Sequence, residues 1–226
     1  MDSLGDRIKR YERVTNNIAT PRTPLMVRVD GRSFHTLTRK AVKPFDQDLI
    51  KAMVCSAREV AEDMQGFKAA YIQSDEATFV MTDYDDLATQ GWFNYELNKV
   101  ISLSAAIMSV AFNKYYKTDR SPVFDSRAFS IPREEVVNAF LWRAKDWERN
   151  SLQMYCRAHF SHGKLNGKKR ADMHEMLYKI GKNWTRDLKS FERNGTFLIK
   201  TEEGIVEFND IQPTYDSIKE AIGELI

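Results

Sequence analysis

The sequence predicts an α+β fold built on a ferredoxin-like βαββαβ sheet, with additional C-terminal helices and a short β element. Three observations carry this expectation. Short runs rich in β-branched and aromatic residues alternate with two long helical patterns over the first 131 residues. The second and third of these runs are joined by a link too short for a crossover, so they form a hairpin. Past Arg133 the pattern turns mainly helical, apart from Thr196 to Phe208. The order is that of a split βαβ sheet. Residues 1–131, with an N-terminal helix, form the sheet domain. Residues 132–226 are a mostly helical extension packed on it as one structural unit.

Each element has its reason. Ser3 to Val14 is a charged helix capped by Ser3 or Asp2. Asn16 to Pro24 holds two prolines and several turn formers and is a connector. Leu25 to Asp30 is the first strand; Leu25, Val27 and Val29 share one face, Arg28 and Asp30 the other. Asp46 caps a helix that runs to about Met64, with Leu49, Met53, Ala57, Val60 and Met64 on one stripe. Ala69 to Gln73 and Thr78 to Met81 are strands linked by Ser74-Asp75-Glu76-Ala77. Trp92 to Tyr115 is a second long helix, rich in small residues that permit close packing. Ser126 to Ile131 is the fourth strand.

Composition narrows the function without naming it. The chain has 226 residues, room for one large domain. Its 34 basic and 32 acidic residues leave a net charge of +2, too small to demonstrate a nucleic-acid partner without a local basic patch. Cys55 and Cys156 lack metal-ligand spacing and read as reduced thiols, which points to a cytoplasmic protein. The first residues, MDSLGDRIKRYERV, hold no apolar signal core, and no stretch approaches the roughly 20 apolar residues of a membrane span. There is no internal repeat.

The chemistry concentrates where the first strand ends, in "LMVRVDGRSFHTLTRK". In a βαββαβ sheet this end lies beside the hairpin between strands two and three. Asp30 and Asp75, far apart in sequence, then meet. Two adjacent carboxylates repel and stay ionised only with a cation between them, and hard oxygen donors suit Mg²⁺. Gly31 lets the backbone approach a metal or triphosphate closely, and its carbonyl is a further ligand. The donors that follow, from Arg32 to His35, would cradle phosphates with backbone N–H groups and side chains. Taken singly, Asp-Gly and Ser-Asp-Glu also suit solvated turns, and Arg28 suits an ion pair. Their combination at facing positions is what points to chemistry. Lys43 and Lys99 are candidates to reach phosphate, with solvated surface lysines the competing reading. His159 and His162 lack further ligands at a useful spacing. Lys164, Lys168, Lys169 and Arg170, with Gly163 and Gly167, form a solvated loop or a strip that tracks RNA phosphates. Trp142, Trp147 and Trp184 read as core residues before base-stacking platforms.

The segments "RVDGRSFHTLTRK", "KPFD", "YIQSDEATFV", "FDSR", "LWRAKDWERNSLQ" and "AHFSHGKLNGK" together resemble the tRNA-His guanylyltransferase superfamily, and within it the Thg1-like branch of 3′–5′ polymerases. The resemblance runs from about residue 3 to residue 200. It implies a polymerase-type palm and nucleotide addition to the 5′ end of tRNA. A 5′-monophosphate is activated by attack on ATP or GTP, and the 3′-hydroxyl of an incoming nucleoside triphosphate then attacks the activated phosphate. It implies two Mg²⁺ ions on Asp30, the Gly31 carbonyl and Asp75, with Glu76 among the catalytic carboxylates. It also implies nucleotide binding by Arg28, Arg32, Ser33, Phe34, His35, Ser74 and Asn150, charge neutralisation by Lys43 and Lys99, RNA binding by Lys164, Lys168, Lys169 and Arg170, and a homotetramer. Two departures stand out: Glu148 replaces a histidine that serves tRNA-His selection, and Tyr95 and Glu96 replace a pair that is often arginine. They favour template-dependent repair of 5′-truncated tRNAs. The alternatives are a tRNA-His-specific enzyme adding G₋₁, a nucleotidyl cyclase on the same palm, and a non-catalytic RNA-binding module.

Overall fold

The alternation along the first strand sends side chains to both faces of a sheet, and each face finds a helical layer. In the computed structural model, which describes residues 3–226, this strand is β1, Leu25–Gly31. Before it lies α1, Leu4–Arg13, whose cap Ser3 accepts a hydrogen bond from the Asp6 N–H. Asp2, the other candidate cap, lies outside the described residues. After β1 come a single turn α2 (Phe34–Leu37), α3 (Gln47–Asp63), β2 (Phe67–Gln73), β3 (Glu76–Met81), α4 (Leu97–Tyr115) and β4 (Phe124–Ser130). These strands lie in the order β4-β1-β3-β2 with antiparallel neighbours, as the sequence predicts.

The chain then runs through α5 (Val136–Arg157), α6 (His162–Leu165), α7 (Arg170–Lys179), α8 (Trp184–Asp187), α9 (Ser190–Asn194), β5 (Thr196–Thr201), β6 (Gly204–Phe208) and α10 (Tyr215–Ile222). The short β element is a hairpin that pairs with β2 and widens the sheet to six strands, β4-β1-β3-β2-β5-β6.

One face packs on α3 and α4 through Leu25, Val27, Val29, Met53, Phe79 and Phe112. The other packs on α5 and α10 through Met26, Tyr71, Val80, Phe140, Trp147 and Ile218. A smaller cluster of Leu152, Tyr155, Met173 and Trp184 holds α7 against the end of α5. The cap of α3 is Asp46, accepting from the Leu49 N–H.

Two elements differ from expectation. The helix predicted from Trp92 starts at Leu97; Phe93 and Asn94 take φ of 51° each. The cause is competition for the backbone: the Ala19 N–H donates to the Tyr95 carbonyl and the Leu97 N–H to Asn17, forming a bridge of Ile18 with Glu96. The link between β2 and β3 is also tighter than expected, only Ser74 and Asp75. Glu76 therefore belongs to β3, opposite Asp30 on β1.

Candidate active site

β1 and β2 run in the same direction, so the end of one and the turn after the other meet at one end of the sheet. The Gly31 N–H donates to the Asp75 carbonyl at 2.9 Å. Ser74 takes a left-handed φ of 50°, and its hydroxyl donates to Asp75 Oδ1 at 2.8 Å. The Asp75 carboxyl is pushed above its ordinary range, mainly by burial; the Ser74 hydrogen bond opposes this, and the nearby Asp30 charge adds to it. An acid held so close to a second acid is incomplete without positive charge.

The donor set answers which charge fits. Asp30, Asp75 and the adjacent Gly31 backbone offer hard oxygens. Among the described residues no group of three or more His, Cys, Asp or Glu is placed to hold a metal ion by itself. Two carboxylates supplemented by backbone, water and substrate phosphate suit Mg²⁺, not an all-protein calcium or zinc cage.

Two adjoining clefts open beside the acids. The larger, about 580 Å³, is lined by Gly31, Ser33, His35, Lys43, Ser74 and Asp75, and across from them by Trp147, Met154 and Arg157 of α5. The second, about 310 Å³, is lined by Asp30, Glu76, Arg143, Asp146, Asn150 and Gln153. Ser74, Asp75 and Arg157 belong to both. Lys43 Nζ donates to the Thr38 carbonyl at 3.0 Å, at the mouth of the larger cleft.

The structure thus brings together Asp30, Gly31, Ser33, His35, Lys43, Ser74, Asp75 and Asn150. It relocates others. Phe34 borders the larger cleft but serves chiefly as a core residue, its ring 5.3 Å from Phe112 and 5.0 Å from Phe124, because α2 turns it inward. That packing also explains Gly31, where a Cβ would sit 2.4 Å from the Phe34 ring. Glu76 is not a free catalytic carboxylate: it is 7% exposed, and both its oxygens accept from Arg143 at 2.6 Å. Arg28 lines neither cleft above but a third beside Trp142. Arg32 is exposed outside the clefts, its N–H bonded to the Val123 carbonyl. Lys99 sits at the start of α4, which begins at the far end of the sheet, and pairs with Glu96 at 2.8 Å. Phe112 of α4, which packs on Phe34 beside the acids, lies some thirteen residues, roughly 20 Å, further along the helix. Lys164, Lys168 and Lys169 are exposed beyond the end of α5, whereas Arg170 pairs with Glu148 at 2.8 Å.

Sequence reasoning missed the wall that α5 contributes. Arg143, Asp146, Gln153 and Arg157 join Asn150 on the cleft, with steps of three and four residues. That spacing marks one face of a helix and was visible in "RAKDWERNSLQMYCR".

An antiparallel ββ turn and strand end presenting two acids into nucleotide-sized clefts define a palm-type nucleotidyltransferase. A family model described as tRNAHis guanylyltransferase (Thg1) matches residues 5–132. The solved structure of a bacterial tRNA(His) guanylyltransferase (Thg1)-like protein in complex with ATP is 36% identical, covers 99% of each chain and superposes with a TM-score of 0.93. A bacterial Thg1-like protein in complex with GTP is 31% identical over 99% of each chain, with a TM-score of 0.81. The tRNA(His) guanylyltransferase of Debaryomyces hansenii is 27% identical over 92% of this chain and 84% of its own. The chain belongs to the tRNA(His) guanylyltransferase family.

Proposed function

We propose that this protein is a Mg²⁺-dependent 3′–5′ nucleotidyltransferase that repairs tRNAs lacking 5′ nucleotides, adding bases that pair with the opposing strand. The observation that carries it is the meeting of Asp30 and Asp75 between two clefts, one for an activating nucleotide and one for the reacting ends.

An oxygen of the RNA 5′-monophosphate attacks the α-phosphorus of ATP or GTP; the α–β anhydride breaks and pyrophosphate leaves. The 3′-hydroxyl of the incoming triphosphate then attacks the activated 5′ phosphorus, losing its proton as the nucleoside monophosphate departs. Ser33, His35, Lys43 and Arg157 hold the triphosphate oxygens, and Ser74 orients the Asp75 carboxylate. Asn150 and Gln153 offer amides to the second reactant. Bound between the acids, two Mg²⁺ ions would acidify the attacking hydroxyl and neutralise the leaving pyrophosphate. Bound ATP and GTP in the two bacterial neighbours support these nucleotide assignments.

Glu148, tied to Arg170, favours repair over strict tRNA-His selection. The tRNA(His) guanylyltransferase name of the curated relative favours the second reading, G₋₁ addition. The proposal includes four copies, with exposed Leu103 and Val110 on α4 as an apolar contact, and a cytoplasmic setting in which free Cys55 and Cys156 stay reduced. Light scattering tests the assembly.

The deciding experiment offers each labelled nucleoside triphosphate to a panel of 5′-truncated tRNAs with the opposing base varied. Mg²⁺-dependent incorporation that follows base pairing supports repair. Addition to tRNA-His alone, regardless of pairing, establishes the second reading, and no incorporation at all rejects both.

A further inference from the structure

We infer that the third cleft, beside Trp142, is a stacking subsite for a single RNA nucleobase, with Arg28 holding the adjoining phosphate. It takes from the functional reading only that the substrate is RNA. The cleft is about 280 Å³ and lies on the same face of the sheet as the acids, between β1, β4 and α5. Arg28 is two residues before Asp30, about 7 Å along the strand. One nucleotide spans that distance.

Three features of the cleft point to this ligand. Trp142 is 61% exposed, the large aromatic at the lip of a cleft floored by Met26, Phe129 and Ile131. Guanidinium groups flank its ring, Arg143 at 4.7 Å from the centroid and Arg28 at 5.9 Å.

Next, Arg28 faces Arg127 directly across the β1–β4 ladder. Like charges opposite one another on a sheet face destabilise it unless an anion intervenes. Arg127 has Asp125 at 3.1 Å, whereas the one carboxylate that Arg28 reaches among the described residues is Glu76, at 3.9 Å, whose oxygens already accept from Arg143.

Finally, Arg28 Nε is buried with no hydrogen-bond partner among the described residues, so the protein pairs this guanidinium incompletely, and the part of the side chain that lines the cleft is what a phosphate would meet. Size selects the occupant: the volume admits one base and excludes a helix or a folded partner. Asn138 and Glu135, bonded to each other at 3.1 Å, give the base edge polar groups at the rim. An aromatic face with cations beside it is how single-stranded nucleic acid is held without sequence preference.

The test is fluorescence anisotropy of labelled hexa-adenylate RNA with the full-length protein in EDTA, where no chemistry occurs. Trp142→Ala is expected to weaken binding roughly 5- to 150-fold. Trp142→Phe keeps most of it, and Arg28→Gln lowers the slope of log affinity against log salt by about 1. Melting curves should coincide, since Trp142 is exposed. Equal binding by Trp142→Ala and the parent overturns the inference, as does equal weakening by Ala and Phe. A changed assembly mass with binding intact overturns it too, showing that a second copy covers the tryptophan. If the protein incorporates no nucleotide yet this pattern holds, the repair reading falls and the subsite stands.

Discussion

The Gly31 N–H donates to the Asp75 carbonyl at 2.9 Å, and this bond ties the end of β1 to the β2–β3 turn. It fixes the backbones of both acids relative to each other before any ligand arrives. Catalytic groups held by backbone need no reorganisation when charge develops.

If these two carboxylates share the divalent ions, neither can be spared. Asp30→Asn and Asp75→Asn should each lower labelled-nucleotide incorporation by about a thousandfold or more, with circular dichroism unchanged. Retention of a tenth of the activity by either variant would remove the basis of the proposed mechanism.

The raised Asp75 pKa makes metal-free stability depend on pH. Its contribution is fully present below the ordinary carboxylate value and is lost as pH rises through the higher folded value. The melting temperature of the parent in EDTA, relative to Asp75→Asn, should therefore fall on passing from acid to neutral pH. Asp75→Asn should melt about 1–3 °C higher at pH 7.5. Added Mg²⁺ should stabilise the parent and not the variant.

Gly31→Ala places a methyl group 2.4 Å from the Phe34 ring. Phe34 must leave its contacts with Phe112 and Phe124, at a cost of about 1–3 kcal/mol in urea unfolding. Loss of activity without loss of stability would instead mean that the glycine serves the ligand alone.

The pair of Arg143 with Glu76 is structural, with side chains only 11% and 9% exposed. Arg143→Met should cost about 3 kcal/mol or more, since it strands a buried carboxylate, and adding Glu76→Leu to it should recover most of that, with Glu76→Leu alone as the fourth corner. Chemical denaturation of the four proteins in the cycle checks it.

Arg157, exposed on the wall common to both clefts, should act on phosphate and not on folding. Arg157→Ala should raise the nucleotide KM about tenfold with an unchanged melting temperature, and Arg157→Lys should restore part of the loss. Steady-state kinetics with varied ATP distinguishes this from a fold defect.

The strand periods, the Asp46 cap, the antiparallel order and the meeting of Asp30 with Asp75 were legible in the chain, because each rests on local chemistry plus one topological rule. What the sequence left open was decided by packing. Whether Phe34 faces ligand or core depends on Phe112 and Phe124, which arrive from other elements. Glu76 reads as a third catalytic acid until α5 lays Arg143 across it. Lys99 reads as a phosphate ligand until the direction of α4 puts it at the opposite end of the sheet. By itself the sequence determined the sheet and its two acids. Only the tertiary structure decided which neighbours share their cleft, because side chains from distant segments compete for the same charges and the same volume.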